Sequence, residues 1–259
     1  MKNILTAALV AAAISAITTM GVLKYPLDPQ DRNIIRTVIQ EELPGMMMNV
    51  AWENYFYYFT FYESLKSATV ADGRWGSAVT GSAAVTVNAG MELATGATIS
   101  SVARVEMEVS GMPSATTIFR WDKRQRFRAN MQIDNLANVT AYFICGQLSN
   151  DIYYGFKMVG TSLKGVTKNE GSEVTINLLT AEGDTNYKLE ARLMPKRGSR
   201  PSQIFFYVDD TLRGTITQDA DIPSGTYTTG TAFFNIQITN GTAFPRTLYS
   251  DFLEYMQER

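Results

Sequence analysis

The chain of 259 residues contains no histidine and a single cysteine, Cys145. Without histidine, a Ser-His-Asp or Cys-His catalytic centre and a zinc site built on imidazole cannot form, and a lone cysteine cannot form an intrachain disulfide. Charged residues are also scarce, at 19% of the chain, and 23 basic residues nearly balance 25 acidic ones. A net charge of −2 argues against bulk binding to nucleic acid, so we expect no nucleic-acid partner.

Charge is absent altogether from residues 4–23, which lie between Lys2 and Lys24. A helix of this length spans about 30 Å, which is the thickness of the hydrocarbon core of a bilayer. Two interpretations stay open: a helix that crosses membrane lipid, and a helix buried between protein subunits. A cleaved secretory signal peptide is a third, less favoured one. In the first two cases the segment is an anchor, with contacts expected from Leu5, Leu9, Ile14 and Ile17.

A second, amphipathic helix is predicted over residues 29–43. Asp28 suits the N-cap and Pro29 suits the first helical position. Apolar residues recur at helical spacing on one face and include Ile34, Ile35, Val38 and Ile39. The sequence therefore predicts an N-terminal helical anchor over residues 1–45, followed by a β domain over residues 46–259.

The segment Tyr55–Tyr62 is aromatic at seven of its eight positions. Such density favours a strand over a helix. A strand with aromatic residues on both faces has to be covered on both sides, by the core of its own domain and by another subunit or element. We therefore expect contacts within an assembly from Tyr55, Tyr57 and Phe59; the alternative is a ligand platform.

Short runs of alternating apolar and polar residues follow, separated by turn residues. Examples are 83–87, 102–109, 174–178, 187–193, 204–208 and 212–217. Asp209-Asp210 between the last two runs is a hairpin signal. About a dozen such runs without a helical period predict an all-β protein, an antiparallel β-sandwich or jelly roll.

Several segments of these runs follow one another in a recognisable order: Thr95-Gly96-Ala97-Thr98, residues 127–133, Phe206-Tyr207-Val208-Asp209-Asp210 with Gly214, and Ile222-Pro223-Ser224-Gly225. This order resembles the concanavalin A-like (laminin-G/glucanase type) jelly-roll module over residues 52–259. The resemblance implies the fold. It also implies a choice of functions, because lectins, glycosidases, and viral and bacteriophage fibre, spike and decoration proteins share such modules.

No catalytic constellation accompanies the resemblance. The glucanase branch carries Glu-x-Asp-x-x-Glu, and this sequence has no such run. Glu106 and Glu108 share a strand face, but Arg104 is there to neutralise them. We therefore expect no enzymatic activity and no cofactor. A calcium site would need Asp219 and Asp221 to converge with the Asp209–Asp210 turn, and a solvated loop is the favoured alternative.

Arginines cluster at one place in the sequence. In an extended segment, Arg120, Arg124, Arg126 and Arg128 would lie on one face, with Trp121 and Phe127 on the other. Such a face could meet phosphate, anionic lipid or an acidic neighbour. A solvent face or a row of salt bridges between subunits is the favoured alternative.

Two non-enzymatic functions and one enzymatic function compete. The first is a virion structural protein, a fibre, spike or capsid decoration protein of a bacteriophage or other virus. Its partners would be copies of itself, as a trimer by analogy, other virion proteins and a host-surface glycan. The second is a membrane-anchored or secreted carbohydrate-binding module at the cell surface, with Tyr153 and Tyr154 as candidate glycan contacts. A glycoside hydrolase is the least favoured.

Overall fold

A computed structural model describes residues 59–64, 75–87, 90–108, 120–148, 151–224 and 232–258. These residues form sixteen β-strands and one turn of 3-10 helix, Asp219–Asp221. The first eight strands are β1 (Phe59–Ser64), β2 (Trp75–Val79), β3 (Ala84–Val87), β4 (Met91–Ala94), β5 (Val102–Glu108), β6 (Gln125–Ile133), β7 (Val139–Gln147) and β8 (Ile152–Val159). The others are β9 (Ser162–Asn169), β10 (Val174–Thr180), β11 (Tyr187–Met194), β12 (Gln203–Val208), β13 (Thr211–Ile216), β14 (Ala232–Asn240), β15 (Thr247–Ser250) and β16 (Phe252–Gln257).

The strands form two antiparallel sheets. The seven-stranded sheet has the order β10-β9-β8-β7-β14-β5-β2. The nine-stranded sheet has the order β13-β12-β11-β6-β15-β4-β3, and β16 also pairs with β6 and carries β1 on its far side. Each sheet mixes strands from distant parts of the chain, as in a jelly roll.

The core lies between the two sheets. Alternation along β6 sends Phe127, Ala129 and Met131 inward, and all three are buried. Aromatic pairs join the sheets: Phe127 stacks on Phe234 of β14 with ring centroids 5.4 Å apart. This packing confirms the predicted antiparallel β-sandwich.

The hairpin between β12 and β13 has its turn at Asp209-Asp210, where the sequence indicated one. Asp209 and Asp210 have positive φ angles of 50° and 61°, as the two central residues of a type I′ turn require. The Asp209 carboxylate also accepts a hydrogen bond from the backbone N–H of Lys188 at 2.9 Å. These two aspartates are therefore turn residues.

The end of the described chain forms two strands rather than one. Strands β15 and β16 pair with different parts of β6. The regular strand is interrupted at Asp251 because the side chain of Asn130 binds the backbone at this point. The Asn130 Oδ1 accepts hydrogen bonds from the backbone N–H groups of Asp251 and Phe252, both at 3.0 Å.

The predicted N-terminal anchor lies outside the described residues. This applies to the helices over 4–23 and 29–43 and to Tyr55 and Tyr57, whereas Phe59 begins β1, whose backbone pairs with β16. In the described ranges we find no helix with the length and apolar character needed to cross a bilayer.

Candidate functional site

A row of polar side chains crosses the outer face of the nine-stranded sheet. Backbone register aligns Thr86 of β3 with Glu92 of β4, Glu92 with Tyr249 of β15, and Tyr249 with Gln132 of β6. Tyr187 of β11 pairs with Met131, so Asn186 continues the row beyond Gln132. We call these five residues, Thr86, Glu92, Tyr249, Gln132 and Asn186, the polar rung.

Successive side chains of a strand point to opposite faces of the sheet, so the residues of the polar rung point outward if their neighbours point inward. Met91, Met131 and Leu248 each precede a rung residue and are buried in the core. Four strand spacings of about 4.8 Å give the rung a length of roughly 19 Å. It lines a groove of about 330 Å³, within the size range of small-ligand sites.

Tyr249 is the aromatic centre of this groove. Its side chain is 40% exposed and stands between Glu92 and Gln132 in the register. An exposed aromatic ring among hydrogen-bonding groups combines an apolar surface with polar contacts at its margin. This combination suits a ligand that is itself apolar on one face and polar around its edge.

Asn130 and Ser250 fix the floor of the groove next to the rung. The Ser250 hydroxyl donates to the Asn130 Oδ1 at 3.3 Å, and the Asn130 amide donates to the Asp251 carboxylate. The Asn130 Oδ1 also accepts the hydrogen bonds from the backbone N–H groups of Asp251 and Phe252. The amide oxygen and the amide nitrogen of Asn130 are therefore both engaged within the protein. The side chain of Asn130 is therefore a positioning element of the groove.

Carboxylates are the only charged groups among the described residues that line the groove. Glu92 and Asp251 line it, and Asp184 accepts a hydrogen bond from the Gln132 amide at 2.7 Å. Its described lining residues include neither lysine nor arginine. An acidic ligand would meet like charges there, so the arrangement favours a neutral one.

Further along the same face, a charged row ties three strands together. Arg128 of β6 lies between Glu190 of β11 and Glu254 of β16, which are its register partners on either side. The distances from its guanidinium are 3.1 Å to Glu190 and 2.9 Å to Glu254. Arg192 pairs with Glu190, and Arg126 lies 3.7 Å from Glu254. The two carboxylates are thus occupied by arginines.

Arg120 does not share a strand face with the other arginines of the cluster. Arg126 and Arg128 belong to the charged row. Arg120 lies before the strand and pairs with Asp122, while the backbone N–H of Arg124 donates to Glu258 at 3.3 Å. Strand β6 begins only at Gln125, so strand alternation does not extend back to Arg120. Trp121 and Phe127 are both buried.

Tyr153 and Tyr154, the candidate glycan contacts, are not exposed. Tyr154 is 0% exposed and meets Trp121 edge-on, with ring centroids 6.0 Å apart. Tyr153 is 3% exposed on the opposite face of the strand, and its hydroxyl donates to Glu173 at 2.7 Å. Consecutive residues of a strand point to opposite faces, and here both faces are covered. Neither ring is available as a platform for a glycan.

The remaining candidate carboxylates are held apart. Glu106 lies 3.4 Å from Arg104 and accepts a hydrogen bond from Asn235, while Glu108 is the last residue of β5. Asp219 pairs with Lys196 at 2.9 Å. Across the parts of the chain that the structure describes, no three Asp, Glu or Cys side chains gather as a metal site would require, and Asp209–Asp210 do not converge with Asp219.

Comparison with solved structures identifies the architecture. The chain is similar to a β-glucanase of Bacillus licheniformis, with a TM-score of 0.54 and 15% identity over 77% of this chain and 98% of that one. The shared fold is an antiparallel β-sandwich of the jelly-roll type. A protein of unknown function from Shewanella oneidensis MR-1 is similar as well, with a TM-score of 0.54 and 10% identity over 90% of this chain and 95% of that chain.

A structure of botulinum neurotoxin type C is a more distant match. Its TM-score is 0.47 at 12% identity, and the matched region is 70% of this chain and 43% of that chain. The chain therefore spans less than half of that protein, and the likeness does not bear on function. No family model matches the sequence, and no curated protein matches it. These identities are low enough that the likenesses show the fold alone.

The sequence did not reveal the polar rung. Its five residues come from five separate segments, and each is an ordinary outward-facing residue of its own strand or loop. Only the register of β3, β4, β15 and β6 places them in one line. The available signal was the alternation in segments such as Leu248-Tyr249-Ser250, which marks Tyr249 as outward-facing once its neighbours are known to be buried.

Proposed function

We propose that the sandwich is a non-catalytic head that binds a neutral glycan in the groove along the polar rung. The observation that carries this proposal is the alignment of an exposed Tyr249 with Glu92 and Gln132 across paired strands. A sugar ring has an apolar C–H face and a rim of hydroxyls. Tyr249 offers a surface for the face, and the carboxylate and amide offer acceptors and donors for the rim.

The groove supports a neutral glycan over an acidic one. Glu92 and Asp251 bring two negative charges to it, and no cation lines it among the described residues. Hydrogen bonds from sugar hydroxyls to carboxylates are charge-assisted and strong. A uronic or sialic acid would instead meet repulsion at short range.

The absence of catalysis is part of this proposal and rests on how the carboxylates are occupied. Hydrolysis of a glycosidic bond needs two carboxyl groups that face the same sugar. Glu190 and Glu254 form ion pairs with arginines, and Glu106 is paired with Arg104. Glu92 and Asp251 share the groove, but Asp251 accepts a hydrogen bond from Asn130.

We also propose that residues 1–45 attach this head to a larger particle, as in a viral fibre, spike or decoration protein. Support comes from the uncharged stretch over residues 4–23, which needs a protein or lipid partner. A membrane-anchored module at the cell surface is the competing arrangement. Sedimentation of the particles that carry the protein distinguishes these two arrangements. The full chain should remain with capsids after detergent extraction. Release of the chain by detergent would favour the membrane-anchored arrangement.

Glycan binding is tested with the full-length protein and a panel of short neutral and acidic oligosaccharides, measured by calorimetry. We expect binding to a neutral member, and Tyr249→Ala should weaken it by at least about tenfold, or ~1.4 kcal/mol. Phe244→Ala is the matched control, since Phe244 is 68% exposed and does not line the groove. Its affinity should equal that of the wild type.

Two results would contradict the proposal. The first is equal affinity of the wild type and Tyr249→Ala for every oligosaccharide that binds. The second is a preference for acidic oligosaccharides, because the charge of Glu92 and Asp251 opposes it. A milder variant, Glu92→Gln, keeps the shape of the side chain and should reduce affinity while relaxing the discrimination against acidic sugars.

A further inference from the structure

Three exposed apolar side chains lie on adjoining loops at one end of the sandwich. Ile99 and Phe244 are 61% and 68% exposed, and Val79 is 48% exposed. Val79 is the last residue of β2, Ile99 lies between β4 and β5, and Phe244 lies between β14 and β15. Large apolar groups held in water at one place mark a contact site. We call these side chains and their loops the apolar corner: residues 79–83, 95–101 and 241–246.

The three loops of the apolar corner are joined to one another. Asn240 is buried, and its side-chain amide donates to the carbonyl of Gly96 at 2.7 Å and to that of Phe244 at 3.2 Å. A Cβ atom added to Gly81 would lie 2.8 Å from the Cβ of Ser101, so the first two loops are in direct contact. The exposed side chains therefore stand on a preorganised base, and a partner does not have to order the loops on binding.

Internal hydrogen bonds also satisfy backbone groups of the apolar corner. The N–H of Thr95 donates to the carbonyl of Arg246 at 2.8 Å, and the N–H of Arg246 donates to the hydroxyl of Thr95 at 2.8 Å. The N–H of Ser100 donates to the carbonyl of Asn240 at 2.9 Å. A backbone polar group that enters lipid needs a partner within the protein, because the hydrocarbon offers none. The groups engaged here meet that condition.

The charges around the apolar corner are arranged on one side. Arg246 is the only charged residue within the corner, two residues after Phe244. Neighbouring loops at the same end carry the exposed residues Asp134, Glu182 and Asp184. Apolar side chains with an arginine at their margin suit the boundary between acyl chains and headgroups. The three carboxylates next to them would be repelled by an anionic membrane surface.

We propose that the apolar corner inserts into the interfacial layer of a lipid bilayer whose headgroups carry no net charge. Phe244 and Ile99 then reach the acyl boundary, and the guanidinium of Arg246 stays among the phosphates. Lipid is favoured over a protein partner because the loops satisfy their own backbone groups, whereas protein interfaces commonly leave such groups to the partner and to bridging water.

This inference goes beyond glycan binding and does not depend on it. Its location also differs from residues 4–23, the segment for which the sequence suggested contact with lipid. Glu92 of the polar rung lies three residues before Thr95 along the chain, or roughly 10 Å in an extended strand. A head that is docked in this way presents the groove close to the membrane surface, where glycans carried by that membrane are within reach.

An environment-sensitive fluorophore tests the insertion in the full-length protein. The label is placed on Ala243→Cys, an exposed position beside Phe244. Cys145 is buried, and this burial holds the pKa of its thiol well above the usual value, so background labelling should be low. With phosphatidylcholine vesicles we expect a blue shift of the emission and quenching by nitroxide groups on the acyl chains. The same label on Thr175→Cys, an exposed position on β10, should show neither effect.

A double substitution tests which side chains drive the insertion. Ile99→Ser with Phe244→Ser, added to the labelled Ala243→Cys protein, should weaken the association of the corner with vesicles by about tenfold or more, since each side chain loses its burial in lipid. Val159→Ser with Leu212→Ser is the matched control, because both residues are exposed and apolar but lie outside the apolar corner. It should leave the fluorescence response unchanged, and circular dichroism would show that both proteins are folded.

Three results would overturn the proposal. The first is no fluorescence change at position 243 with neutral vesicles, which would leave a protein as the partner of the apolar corner. The second is a change that survives Ile99→Ser with Phe244→Ser. The third is a stronger response on vesicles rich in phosphatidylserine than on phosphatidylcholine alone, because the neighbouring carboxylates oppose it. Glycan affinity is a separate measurement and should be the same in the double variant and the wild type.

Discussion

Tyr249, Tyr153 and Tyr154 are all strand tyrosines, and their surroundings give them different roles. Tyr154 points into the core, where its hydroxyl donates to Gln125 at 3.1 Å. Tyr153 points outward but is covered and hydrogen-bonded to Glu173. Tyr249 points outward into a groove and stays partly exposed. Both Tyr153 and Tyr154 were candidate glycan contacts in the sequence, which does not reveal that a carboxylate and apolar neighbours cover Tyr153.

Glu173 is the residue whose charge state should be visible in the stability of the protein. Burial alone would raise the pKa of its carboxyl. Lys157, with its ammonium 2.5 Å away, and the hydroxyl of Tyr153 outweigh burial and hold the pKa below its ordinary value. A depressed pKa means that the ionised form stabilises the fold. This contribution is full above the unfolded-state pKa of about 4.3 and is lost as the pH falls through the lower folded-state pKa.

The Glu173→Gln variant tests this contribution. Its free energy of unfolding should lie below that of the wild type between about pH 5.5 and 7, and the gap should close as the pH falls below about 4.3. Chemical denaturation at a series of pH values measures the gap. Glu182→Gln, at an exposed glutamate, serves as the control. A gap that is independent of pH would show that the Glu173 charge is not stabilising.

For individual strands, the alternation of apolar and polar residues could be recognised in the sequence. Which strands pair with one another could not. Residues 187–193 and 204–208 alternate cleanly and are strands β11 and β12. Asp209-Asp210 identified the hairpin to β13. The break between β15 and β16 cannot be predicted from the sequence because its cause, Asn130, lies more than a hundred residues away in β6. The same reason explains why the polar rung was invisible in the sequence.

Contact between the sheets depends on one glycine of β9. A Cβ atom added to Gly165 would lie 2.6 Å from the ring of Phe206, which is fully buried in β12. Phe206 in turn meets Phe156 of β8 edge-on, with ring centroids 5.7 Å apart. The absence of a side chain at Gly165 thus allows an aromatic pair to fill the space between the two sheets.

We expect Gly165→Ala to destabilise the fold by about 1–3 kcal/mol through overpacking. Thermal unfolding should show a lower midpoint, by roughly 2–4 °C for each kcal/mol. Gly171→Ala is the matched control, because a Cβ atom there would meet nothing closer than 3.7 Å. Equal midpoints for the two variants would show that the Phe206 ring has room to move.

For the whole molecule, the sequence predicted the class of fold but not the place where a ligand would bind. Alternating runs and turn signals indicated an antiparallel sandwich, which the two sheets confirm. The candidate site arises from the topology, since β6 pairs with β11 on one side and with both β15 and β16 on the other. Particle attachment remains a prediction from residues 1–45, which lie outside the described part of the chain.

Nuclear magnetic resonance of the full-length protein can show whether a neutral glycan binds along the polar rung, as we propose. Titration with a neutral oligosaccharide selected from the binding panel should shift the side-chain amide signals of Gln132 and Asn186. It should also shift the ring signals of Tyr249, all with one dissociation constant. Shifts confined to the seven-stranded sheet, for example around Tyr142 and Lys157, or no shifts at saturating ligand, would contradict the claim.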